Sequence, residues 1–333
     1  MRTEDVANVL TSGEPAAILI GGRATREAAL RAASRVAVAT GAKLLCETFP
    51  ARLQRGAGLP AVDRIAYLAE FASMQLDGLK HLILVDAKAP VSFFAYPDKA
   101  SYLVPDGCDV HTLADPSEAA AAALDALADL VGASEKPVLA EASRPDVPTG
   151  ELTARSVCDA LGALMPEDAV VADEGNTAGL YAAGATAGAP RHDWLCLTGG
   201  AIGQGLPIAV GAAVASPGRR VISLEADGSA MYTLQSWWTM AREGLDVTTI
   251  VFNNRSYAVL NMELGRVGAS GHGEKAKEML DIGRPDLDFT SLAKGMGLEA
   301  WRATTAEEFT ASLERSLGTP GPSVVEAVIP SVI

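Results

Sequence analysis

Short apolar runs alternate with longer stretches of helical period along nearly the whole chain. In the first part, residues 17–20, 43–46, 81–85 and a run near 109–113 are mostly apolar or β-branched and read as strands, while 25–38, 63–74 and 117–130 read as helices. Strands alternating with helices predict a parallel, doubly wound sheet over residues 1–132. Residues 133–150, ASEKPVLAEASRPDVPTG, hold three prolines, several charges and no period, and read as a linker. From 151 to 333 the alternation resumes, with strands at 169–172, 194–197, 221–224, 247–252, 299–302 and 323–329 and helices at 152–165, 289–296 and 306–317, besides an Ala-rich helix ending near 215. The predicted fold class is α/β, with two doubly wound, mainly parallel-sheet domains.

The stretch 221–254 organises the second domain. One strand stops at Ala226-Asp227-Gly228 and the next stops at Asn253-Asn254. Between them Leu234, Trp237, Trp238 and Ala241 recur at helical spacing before Gly244. Such a βαβ unit has parallel strands, so both ends lie on the same edge. As neighbours about 4.8 Å apart, these ends would let the Asp227 carboxylate and the Asn254 amide oxygen grip one magnesium ion, whose other positions suit phosphate oxygens. Asp-Gly and Asn-Asn are also ordinary turn formers, and the pairs alone leave both readings open.

Three other junctions carry candidate chemistry. Asp173-Glu174-Gly175-Asn176-Thr177 lies between a strand and a helix, where it can bind an anion or simply cap the helix. Four glycines between Gly199 and Gly205 bring backbone close either to a ligand or to a packed helix. Gly21-Gly22-Arg23 follows a strand without completing GxGxxG, and fits a nucleotide phosphate or a plain turn. Phe93-Phe94-Ala95-Tyr96-Pro97 is a loop of aromatics that lines a surface or packs beneath itself.

Charge and composition narrow the partners. The 333 residues exceed one ordinary core, and two domains are expected. With 27 basic against 41 acidic residues the net charge is −14, and there is no basic stretch. This argues against nucleic acid and anionic membrane partners, and an anionic cofactor would need a metal or helix N-termini. Cys46, Cys108, Cys158 and Cys196 are scattered without CxxC pairing and read as reduced thiols. The N-terminus lacks a long apolar core, and no run reaches the roughly 18 residues of a membrane span. A cytoplasmic protein is expected.

LTGGAIGQGLPIAVGAA, then ADGS, then NN after the 24 residues from Ser229 to Phe252, resembles the diphosphate-binding domain of thiamine-diphosphate enzymes. It is most similar to the acetolactate synthase and benzoylformate decarboxylase group. Residues 151–330 are covered throughout, and 1–132 look like the family's central, Rossmann-like domain. Ala226 stands where the usual GDG motif has its first glycine.

The resemblance implies a magnesium ion held by Asp227, the Asn254 side chain and the backbone oxygen of Ser256. Gly228 and Ser229 would offer N–H groups to the diphosphate, with Asn176 and Thr177 reaching it from the first junction. Ile202 would bend the cofactor, and the Gly200 carbonyl would accept from its 4′-amino group. The implied substrate is a 2-keto acid that loses carbon dioxide while the thiazolium stores the electrons; another keto acid or a proton then takes the carbanion. A homodimer or homotetramer is implied as well.

Tyr257, Leu260 and Met262 face the pocket or pack as helical core, core packing being expected for at least two of them; His272 reads as a surface residue. Full-length members carry an N-terminal pyrimidine-binding domain with an activating glutamate. That domain is expected to be missing here, so no catalytic residue is assigned and the chain alone is expected to lack turnover. Flavin (FAD) in the central domain stays open, since some synthases of this group carry it. Two alternatives accompany this reading: an aryl or branched 2-keto acid decarboxylase of the benzoylformate type, and a non-catalytic cofactor-binding or assembly module.

Overall fold

The computed structural model describes residues 2–134, 136–269 and 273–331, so His272 lies outside the described residues. The chain divides into two compact units, one up to Ala140 and one from Glu141.

The first unit opens with a helix the apolar pattern did not mark, α1 (Arg2–Leu10), which buries Val6, Ala7 and Leu10. It continues through β1 (Ala16–Ile20), α2 (Glu27–Thr40), β2 (Lys43–Cys46), the short β3 (Leu53–Arg55) and β4 (Asp63–Arg64), α3 (Ala69–Leu76), β5 (His81–Val85), β6 (Asp109–Ala114) and α4 (Ala120–Leu130). The sheet order β4-β2-β1-β5-β6 is parallel throughout. A βαβ crossover on each side of β1 produces that order, and β1 is buried along its whole length. Leu19, Leu45, Leu82 and Leu84 meet Ala72 and Leu76 of α3 in one core cluster.

One predicted helix starts late. Residues 63–74 were expected as a single helix, but Asp63–Arg64 pair with Leu45 and Cys46 as an edge strand. Gln75 secures this arrangement: its Oε1 accepts from the Ala66 N–H (2.8 Å) and its Nε2 donates to the Arg64 carbonyl (3.0 Å). One amide side chain thereby satisfies backbone groups that a continuous helix would have paired itself. In the aromatic loop, Phe93 packs edge-on to Phe49 at 5.0 Å and beside Tyr67 at 5.4 Å, whereas Phe94 is half exposed.

The Gly21-Gly22-Arg23 turn is closed by the chain itself. The Arg23 N–H donates to Asp86 Oδ2 at 2.7 Å, and a Cβ on Gly22 would lie 2.6 Å from the Asp86 carboxylate. A Cβ on Gly21 would meet the Glu47 carboxylate. An anion already occupies the place where a nucleotide phosphate would go, so these residues fit a plain turn and not a phosphate site.

The second unit runs α5 (Ala154–Leu164), β7 (Val170–Glu174), α6 (Ala182–Ala185), β8 (His192–Cys196), α7 (Gly205–Ala215), β9 (Val221–Ala226), α8 (Asp227–Ala230), α9 (Gln235–Glu243), β10 (Val247–Asn253), α10 (Ala258–Arg266), α11 (Glu274–Leu280), α12 (Phe289–Gly295), β11 (Glu299–Ala303), α13 (Ala306–Gly318) and β12 (Ser323–Val328). These strands lie in the parallel order β11-β12-β10-β9-β7-β8. Thr153 and Ser156 form a capping box on α5, and Thr305 and Glu308 form another on α13. Gly244 ends α9 in the left-handed conformation, as the sequence suggests. Trp237 is fully buried and packs edge-on to Phe289 (6.4 Å), while its neighbour Trp238 is exposed beneath the Arg242 guanidinium. Cys46, Cys158 and Cys196 are buried free thiols and Cys108 is half-buried. Among the described residues, no helix is long and apolar enough to cross a membrane.

Candidate cofactor site

The strand order reverses between β7 and β9: the chain goes outward from β7 to β8, then returns to the other side of β7 with β9 and β10. At such a switch point the segments leaving the carboxyl ends of the two strands turn opposite ways and leave a crevice. The predicted junctions at Gly175 to Thr177 and at Asp227 to Ser229 leave these two strands. The structure links them, because Asn176 Nδ2 donates to Ser229 Oγ at 3.3 Å. Asn176 is held at φ +46°, a left-handed position that asparagine tolerates better than most residues. Thr177 follows it into the turn Ala178–Tyr181 without a side-chain cap.

β9 and β10 are direct parallel neighbours, with Phe252 opposite Ala226. Asp227 is buried and opens the one-turn helix α8. Its Oδ1 accepts from the Gly228 N–H (2.8 Å) and its Oδ2 from the Arg255 N–H (2.6 Å). Asn254, also buried, accepts from the Ser256 N–H through Oδ1 (3.0 Å). Ser256 Oγ accepts from Asn261. Burial pushes the Asp227 carboxyl up to about 6, against the backbone hydrogen bonds that favour its charged form. A buried carboxylate whose partners are backbone N–H groups, beside an amide oxygen, suits a hard divalent cation. The donor chemistry of Asp227 and Asn254 is thus compatible with magnesium.

Gly228 must remain glycine for packing reasons, since a Cβ there would lie 2.8 Å from Tyr257 Cδ1. Tyr257 thus stands over the Gly228 backbone. Leu260 is 47% exposed and Met262 half-buried, so the core reading fails for Leu260.

The glycine loop begins with the turn Thr198–Gly200 and leads into α7. Gly199, Gly200 and Gly203 have φ of +66°, +66° and +86°. Ile202, between Ala201 and Gly203, is 43% exposed. Gln204 and Thr198 bond side chain to side chain across the loop (2.8 Å).

Sequence reading missed what lies beneath this loop. β7 extends through Glu174, directly opposite Glu225 of β9 in the parallel register. Both carboxyls are buried. Glu174 accepts the N–H groups of Gly203 and Gly205. Glu225 accepts from Ser223 Oγ (2.7 Å), and its Oε2 has no partner among the described residues. Burial raises both, and Glu225 is driven well above the ordinary range by burial and by the Glu174 charge beside it. The available signal was the charged residue inside the apolar run VISLEA, which a fully buried strand does not otherwise carry.

Residues 173–327 match the family model described as "Thiamine pyrophosphate enzyme, C-terminal TPP binding domain". That match covers most of the second unit. Over 329 residues the chain is 58% identical to IlvX of Mycobacterium tuberculosis (strain ATCC 25618 / H37Rv), whose name assigns it to the acetolactate synthase large subunits; the match covers 98% of this chain and 64% of that protein. It is 31% identical over 271 residues to a benzoylformate decarboxylase of Pseudomonas aeruginosa, covering 76% of this chain and 49% of that one. The fold is shared with a thiamine diphosphate-dependent 4-hydroxybenzoylformate decarboxylase of Rhodococcus jostii RHA1, at a TM-score of 0.78 and 24% identity over 98% of this chain and 64% of that one. The chain thus spans about two thirds or less of the length of these relatives.

Proposed function

We propose that the chain is the thiamine diphosphate- and magnesium-binding part of an acetolactate synthase-like 2-keto acid decarboxylase or carboligase. The observation that carries this reading is the buried Asp227 carboxylate, which accepts the backbone N–H groups of Gly228 and Arg255, with buried Asn254 just past the end of the adjacent strand. Asp227, Asn254 and the Ser256 carbonyl would hold the metal, while Gly228, Ser229, Asn176 and Thr177 would face the diphosphate. Gly200 and Ile202 would meet the other end of the cofactor, which when bound acts as an electron sink for decarboxylation. None of these residues is a general acid or base placed for that end. Turnover would then depend on a group supplied from elsewhere, in a homodimer or homotetramer.

Calorimetry with thiamine diphosphate and magnesium, on wild type and Asp227→Ala, tests the assignment. Binding that is lost in the variant is expected, and binding that survives unchanged would overturn it. The 31% identity to a benzoylformate decarboxylase supports a second reading, decarboxylation of an aryl 2-keto acid. Product analysis with pyruvate and with benzoylformate, using the chain in its full assembly, separates the two. Cofactor binding with no turnover of either acid would favour a non-catalytic module. As for flavin, Asp86 closes the strand-end turn of the first unit to a phosphate, and a colourless preparation is expected.

A further inference from the structure

We infer that Glu174 is the positioning residue of the glycine loop: its carboxylate suspends Gly203 and Gly205 and thereby sets where Gly200 and Ile202 stand. The inference rests on the cofactor reading above and extends it to a residue that touches neither the metal nor the diphosphate.

The geometry is specific. Glu174 is the last residue of β7, and its two carboxylate oxygens take one loop N–H each, Oε1 from Gly203 and Oε2 from Gly205. The Gln204 backbone also favours its charged form, while the Ser229 hydroxyl on the diphosphate side donates to the Ala226 carbonyl (3.2 Å). A Cβ on Gly205 would lie 2.8 Å from both Cβ and Oε2 of Glu174 and would overlap Glu225 Oε1. Glycine at 205 therefore lets the loop come down onto the carboxylates. Gly203 is bound from both sides, because its carbonyl also accepts from Thr233 Oγ1 (3.0 Å). A loop with several positive-φ glycines has little preference of its own, and a fixed carboxylate accepting two N–H groups is a strong local constraint.

The tail and head of the cofactor would be gripped by different residues, and this separation supplies the test. Glu174→Gln keeps size and one acceptor but turns an N–H donor toward the second loop amide. Amide hydrogen exchange of the segment 198–206 is expected to rise by at least about tenfold in this variant. Thiamine diphosphate with magnesium should bind about tenfold or more weakly, while magnesium pyrophosphate, which uses only the tail contacts, should bind as to wild type. Glu326→Gln, another buried carboxyl but bonded to Asn253 rather than placed at the loop, should leave the exchange unchanged and controls for general loosening.

If Glu174→Gln does not melt cooperatively, Glu174→Asp, which retains the charge but is one methylene shorter, is read in its place. Unaltered exchange in 198–206, or parallel weakening of pyrophosphate and thiamine diphosphate, overturns the inference. Failure of the wild-type chain to bind thiamine diphosphate counts against the cofactor reading, and the exchange comparison still decides the role of Glu174.

Discussion

The Asp227 carboxylate accepts the backbone N–H of Arg255 at 2.6 Å, tying the end of β9 to the residue that follows Asn254 beyond β10. Arg255 is held at φ +56°, so the tie fixes a backbone turn that arginine does not favour. Asp227→Asn removes one acceptor, which costs about 1–3 kcal/mol, and also removes a charge whose burial is itself unfavourable. The two effects oppose each other, and the melting temperature is expected to change by only a few degrees. Magnesium-dependent binding of thiamine diphosphate should fall by more than about a hundredfold, beyond what losing an outer-sphere partner brings. Thermal denaturation and calorimetry on one preparation check both statements.

Gly228→Ala places a methyl group against the Tyr257 ring. Overpacking of this kind costs about 1–3 kcal/mol. Adding Tyr257→Ala should return part of that loss, so urea denaturation of both single variants and the double variant should show a coupling of at least about 0.5 kcal/mol. Strict additivity would mean that the two residues do not collide.

Trp194 Nε1 donates to Asp173 Oδ2 at 2.9 Å, and Asp173 Oδ1 accepts the Gly175 N–H (3.3 Å). Trp194→Phe leaves the carboxylate short of one donor and is expected to cost about 1.5–3 kcal/mol, as for a hydrogen bond to a charged group. Urea unfolding with an unchanged m-value measures it. Because Asp173 also orders the junction leading to Asn176, diphosphate affinity should weaken as well.

Glu326 is fully buried in β12, where its Oε1 accepts from Asn253 Nδ2 at 2.7 Å. Burial raises its carboxyl above the ordinary 4.5, against the opposing effects of Asn253 and Arg302. The folded chain therefore holds this proton more tightly than the unfolded chain. The resulting stability is complete below about pH 4.5 and is lost as pH rises through the higher folded-state value. Glu326→Gln keeps an acceptor for Asn253 and cannot ionise. Its melting temperature should decline less than that of wild type between pH 5 and 8, and identical slopes would refute the assignment.

The fold was legible where one pattern decided it. The strands near 17–20, 81–85 and 247–252 are mostly apolar or β-branched, and the structure contains all of them. The placement of the candidate site was legible as motifs, because Asp227-Gly228 and Asn253-Asn254 lie at the ends of neighbouring parallel strands, as the βαβ rule anticipates. The failures share a cause in side chains that act across the chain. Gln75 turns residues 63–66 away from the helix, and Glu174 belongs to β7 because β9 pairs with it. Gln75 and β9 both lie beyond the three- or four-residue reach of a helical period, so local periodicity carries no trace of them.

Asp86 at the Gly21-Gly22-Arg23 turn is a tethered ligand. A tethered group is present at an effective concentration that dilution does not lower, commonly millimolar or above for short connections. Any free phosphate seeking that turn would have to outcompete it at every concentration of protein. The turn's occupancy is thus set by the sequence and not by the metabolite pool, and opening it to a nucleotide would begin with deleting a charge.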